Sequence, residues 1–100
     1  MISYEINLSN QFREELDNIY NYICFYLGSP QTANKIYHKT KNSILSLTFY
    51  PERYSKISSI GDFRKLLINH YVVIYQINNS SSQVFILHIF HGSQNYLNNL

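Results

Sequence analysis

Arg64 stands at the start of a strand-like run, and His88 and His91 close a later one. A guanidinium can neutralise a phosphate or a carboxylate, and an imidazole can give or take a proton near neutral pH. Glu52, Arg53, Tyr54 and Lys56 precede Arg64 in a loop-like segment, Lys65 follows it, and Tyr96 lies near the chain end. A bland reading stands beside each. Arg64 also suits an exposed strand residue paired with Asp62 or Glu52, contributing under ~1 kcal/mol. His88 reads as structural, and His91 as either a functional group or a polar residue at a strand exit. Three apart on a strand, the two imidazoles point to opposite faces, which excludes a metal site shared between them there. With no Gly-rich phosphate loop, paired-Cys zinc site or Ser-His-Asp signature, no cofactor and no metal is expected.

The formal net charge of +2 conceals an asymmetry. Seven of the eight Lys and Arg residues fall between Lys35 and Lys65, opposed there only by Glu52 and Asp62, whereas the first seventeen residues are acidic. A basic middle can meet nucleic acid or an acidic protein segment, or simply be a solvated face.

These side chains need elements to hold them. Ile2 to Leu8 alternates apolar and polar residues, as a half-buried strand does. Ser9 or Asn10 can cap a helix in which Phe12, Leu16, Ile19, Ile23 and Tyr26 form one stripe, with Gly28 as its left-handed stop. Ser29 and Pro30 open a second helix with Ala33, Ile36, Tyr37, Thr40, Ile44 and Leu47 on one side and Lys35, Lys39 and Asn42 on the other, until Pro51 halts it. Three strand-like runs follow, divided by Asn69-His70 and by Asn78 to Gln83, and read as an antiparallel meander. Tyr71, Val73 and Tyr75 share one face, where core packing competes with base stacking. Gln94 to Leu100 reads as a last short helix or a loose tail. The expectation is one α+β domain over residues 1–100, β-α-α-β-β-β, with a helical hairpin packed on an antiparallel sheet. No apolar run is long enough to span a membrane, and the N-terminus lacks a signal-peptide pattern, so a cytoplasmic location is expected. The single Cys24, mid-helix, reads as a buried structural thiol.

The order of these pieces resembles the RelE/ParE family of bacterial toxins. The resemblance rests on Leu27-Gly28-Ser29-Pro30, on Leu47 to Arg53, on Arg64 to Tyr75, and on Ile86 to Asn95 with its His91-Gly92-Ser93-Gln94-Asn95 ending. It implies a growth-arresting toxin of a type II module, neutralised by a cognate antitoxin, with any contact to DNA made through that antitoxin.

RelE-like members of this family cut messenger RNA on the ribosome through attack of the ribose 2′-hydroxyl on the adjacent phosphate. Such chemistry needs a base, cations against the developing charge and a proton donor. The resemblance would then make Arg64, His91 and Tyr96 catalytic, with Arg53, Lys56, Arg64 and Lys65 binding target or RNA. ParE-like members instead inhibit DNA gyrase as protein ligands. The ending after the last strand contains no arginine, and with the Gly28-Ser29-Pro30 joint it looks closer to the ParE-like branch. Gyrase inhibition is therefore the preferred expectation, and ribosome-dependent endonuclease activity the alternative.

Overall fold

The structure, a computed structural model, describes residues 2–92. Strand β1 (Glu5–Leu8) leads into helix α1 (Asn10–Asn21), a π-helical turn (Tyr22–Tyr26) and helix α2 (Pro30–Leu45). Short 3-10 turns at Ser46–Thr48 and Pro51–Arg53 precede β2 (Phe63–Ile68), β3 (Tyr71–Asn78) and β4 (Gln83–His91). The expected helix or tail at Gln94 to Leu100, and Tyr96 within it, lie outside the described residues.

The sheet order is β1-β4-β3-β2. β2, β3 and β4 form the expected antiparallel meander, turning at Asn69 in the left-handed region (φ 53). β1 joins the far side of β4 in parallel, Glu5 opposite Gln83 and Leu8 opposite Ile86, so the sheet as a whole is mixed. A parallel neighbour needs a long crossover. The helical hairpin provides the chain length to carry β1 back to the sheet. β1 is also shorter than the alternation from Ile2 suggests: the Tyr4 amide donates to Thr48 at 2.8 Å rather than into the sheet, and Ile2 and Leu8 are exposed.

Ser9 caps α1 by accepting from the Phe12 amide at 3.0 Å. Phe12 and Ile23 are buried, with Leu16 and Ile19 packed beside them. Tyr26 departs from the expected stripe and is 80% exposed. The cause is the π turn, in which the Leu27 amide reaches back five residues to the Tyr22 carbonyl at 3.0 Å. The extra residue per turn rotates Tyr26 out of line. Gly28 (φ 68) ends the helix as its spacing suggests.

On α2, Ala33, Ile36, Thr40 and Ile44 are buried, and Lys35, Lys39 and Asn42 face out. Tyr37 sits at the rim, edge-on to Tyr20 at 6.1 Å. The α-helix ends at Leu45, well before Pro51. Arg53 takes the carbonyls of Ser46 (3.3 Å) and Phe49 (3.0 Å), which stabilises the turn that follows the helix. The hairpin covers one sheet face with a core of Phe12, Leu47, Ile68, Val73, Tyr75, Val84, Ile86 and Ile89. Register shifts in β4, where Ile74 faces His88 but Tyr75 faces Ile86. This bulge at Leu87 lets both Ile86 and Ile89 point into the core. Among the described residues, no helix is long and apolar enough to cross a membrane.

Candidate functional site

Arg64 begins the helix-facing row Arg64, Leu66, Ile68 of β2, in register with Tyr75 of β3. Its Nε donates to Asp62 Oδ1 at 2.8 Å, and Nη1 donates to the carbonyls of Glu52 (2.6 Å) and Tyr54 (2.7 Å). The side chain keeps only 14% of its exposure. The expected exposed strand arginine is thus a clamp that ties β2 to the Pro51–Arg53 turn. The ion pair with Asp62 matches one reading of the sequence; Glu52 contributes its main-chain oxygen.

Tyr75 completes the clamp. Its hydroxyl donates to the Pro51 carbonyl at 2.6 Å, and burial raises the phenol pKa far above its ordinary value. Arg53 lies 5.1 Å over the Tyr54 ring. Beyond this turn the Ser55 carbonyl accepts from the Lys65 amide at 3.1 Å, and a shallow groove runs between Arg53, Tyr54, Ser55, Lys65 and Leu67. Lys56 is exposed beside Arg64 in an isolated antiparallel bridge. All four expected target-binding residues, Arg53, Lys56, Arg64 and Lys65, therefore gather around one end of β2.

His91 lies elsewhere. It pairs with Tyr71 across β3 and β4, meets that ring edge-on at 5.5 Å, and stacks toward His70 at 6.2 Å. A cleft of about 630 Å³ opens here, lined by Glu15, Tyr22, Tyr71, Ile89 and His91 among others. Burial, with the nearby Tyr22, raises the Tyr71 phenol above its ordinary value and keeps it a neutral donor. Arg64 is opposite Tyr75 and His91 opposite Tyr71; at about 3.4 Å per residue and 4.8 Å per strand, their Cα atoms stand about 17 Å apart. The Arg64 guanidinium is turned onto Asp62, Glu52 and Tyr54, whereas the His91 ring lies against Tyr71, so the two groups do not converge on one point. His88 points to the opposite face, stacked on Phe90 at 5.2 Å.

Glu15 is the residue that sequence reasoning missed. Its Oε1 accepts from the Ile89 amide at 3.1 Å and lies 3.3 Å from His88 Nδ1, closing the edge of β4 just past the end of β1. The available signal was its register on α1, three residues after Phe12 and four before Ile19. Among the described residues, no three His, Cys, Asp or Glu side chains gather as a metal site requires.

The sequence profile described as the ParE toxin of the type II toxin-antitoxin system, parDE, matches residues 6–96. The chain belongs to the ParE toxin family. This toxin has the fold of both family branches. It is similar to a structure from the chromosomal ParDE system of P. aeruginosa (TM-score 0.74, 16% identity, 91% of this chain and 98% of that one). It is similar as well to a free mutant of the E. coli toxin RelE (TM-score 0.71, 13% identity, 97% and 92%). A third similar structure is the archaeal RelE-RelB complex from Pyrococcus horikoshii (TM-score 0.66, 15% identity, 92% and 98%). No curated protein sequence matches the chain.

Proposed function

We propose that this type II toxin is held inactive by a cognate antitoxin and, once released in the cytoplasm, arrests growth as a protein ligand of DNA gyrase. DNA is then reached only through the antitoxin or the target. The observation that carries this reading is the state of Arg64: its guanidinium is occupied by Asp62 and two carbonyls. With Nε and Nη1 so engaged and the side chain mostly buried, the group is poorly placed to meet a phosphate, and His91, which lies against Tyr71, does not converge on it. Lys56 and Lys65 remain candidates for target contact, as part of a basic surface rather than a reactive centre. The likeness to a toxin of a ParDE system and to one in a RelE-RelB complex supports an antitoxin partner.

One observation favours the ribosome-dependent endonuclease. His91 and the neutral Tyr71 phenol meet beside an open cleft, and such a pair can move a proton. The two readings part in a simple experiment: antitoxin-free toxin added to purified gyrase and plasmid should cause cleaved DNA to accumulate, with no cutting in the absence of gyrase.

A further inference from the structure

The turn from Phe49 to Tyr54 holds a conformation its sequence resists. Tyr50 sits in the left-handed region (φ 54, ψ 53) immediately before Pro51. A bulky residue is rarely found there, and a following proline favours extended backbone instead. The surroundings keep it in place. Four consecutive carbonyls each receive a donor: Phe49 from Arg53 Nη1 (3.0 Å), Tyr50 from the Arg53 amide (3.2 Å), Pro51 from the Tyr75 hydroxyl (2.6 Å) and Glu52 from Arg64 (2.6 Å).

This arrangement does not serve to bury the aromatic rings. Phe49 is 44% exposed and Tyr50 59%, and Leu45, one turn earlier, is 52% exposed. Strain held by over-determined neighbours marks functional positions more often than structural ones. Exposed aromatics on a rigid support are also the usual anchors of protein interfaces, because little side-chain freedom is lost on binding.

We propose that Phe49 and Tyr50 form the anchor by which the toxin grips its target protein, docking against an acidic-rimmed apolar surface. This rests on the reading of the chain as a protein ligand of gyrase. The charge argues for the occupant: Arg53 touches the Phe49 carbonyl, and over residues 49–56 Arg53 and Lys56 stand against Glu52 alone. A protein fits better than nucleic acid, since Arg53 is already committed to Ser46 and Phe49 and the presented surface is aromatic rather than cationic.

The test uses the full-length, antitoxin-free toxin in a gyrase cleavage assay, comparing the wild type with Phe49→Ala and Tyr50→Asn. Asparagine accepts the left-handed conformation, so Tyr50→Asn removes the ring while easing the turn. Each variant should need at least about tenfold more toxin for half-maximal cleavage, with a melting temperature no lower for Tyr50→Asn than for the wild type. Activity equal to an active wild type overturns this inference and leaves the gyrase reading standing. A wild type inert toward gyrase overturns both. A lowered melting temperature in Tyr50→Asn with full activity in Phe49→Ala would make the turn merely structural. Direct binding of a short DNA duplex by the toxin alone, lost in both variants, would replace the protein partner with nucleic acid.

Discussion

The Tyr75 hydroxyl donates to the Pro51 carbonyl at 2.6 Å, joining the middle of the meander to a turn that lies 24 residues earlier. Both residues are buried. Tyr75→Phe therefore leaves a buried carbonyl without a donor and should cost about 1–3 kcal/mol, read as a lower urea midpoint at unchanged slope.

The same phenol gives a pH dependence of known sign. Burial raises its folded pKa, so the stability tied to its neutral form is complete below the unfolded value of about 10 and is lost as pH rises beyond it. Denaturation midpoints measured from pH 9 to 11 should fall above about pH 10. Tyr75→Phe should show a shallower fall.

Arg64→Ala removes an ion pair and two charge-assisted hydrogen bonds from a mostly buried site. The expected destabilisation is about 2–4 kcal/mol, in contrast to the small effect of an exposed strand arginine. Chemical denaturation of Arg64→Ala and Arg64→Lys would check it, with lysine restoring only part because it lacks the forked donors. Toxicity of Arg64→Ala is therefore to be compared with that of Arg64→Lys at matched folded fraction, so that lost stability is separated from a lost target contact.

These expectations mark where sequence reasoning reached and where it stopped. The α+β order, the Ser9 and Ser29 caps, the Gly28 stop and the core row Tyr71, Val73, Tyr75 were legible because each follows from local periodicity or turn chemistry. Tyr26 was misplaced because a π turn leaves no mark in a four-three spacing. The parallel pairing of β1 with β4 was invisible for a different reason: it depends on a partner some eighty residues away. Arg64 was found by type, but its exposure was misjudged, since the turn that covers it is held by Tyr75 and Arg53 through main-chain oxygens that carry no sequence signature. Glu15 looked like any surface carboxylate until β4 ran past the end of β1 and needed an acceptor.

Glu15→Ala should leave the Ile89 amide without its acceptor and cost about 1 kcal/mol, while Glu15→Gln, which keeps an oxygen, should cost less. Hydrogen exchange at Ile89 would report the difference as faster exchange in the alanine variant only.

Antitoxin that binds the folded toxin stabilises it by mass action, by about 4 kcal/mol when present at 1,000 times its dissociation constant. Co-expression with the neighbouring reading frame should yield a complex that survives moderate salt and melts well above the toxin alone. Failure to co-purify would contradict the antitoxin partnership.

The central claim is that this toxin acts by gripping a protein and not by cutting RNA. One antitoxin-free preparation should be assayed in parallel for gyrase-dependent DNA cleavage and for messenger RNA cleavage in a translation extract. Accumulation of cleaved plasmid with intact messenger RNA is the predicted result. Codon-linked cleavage of messenger RNA, slowed in His91→Ala and accompanied by unaffected gyrase, would contradict it.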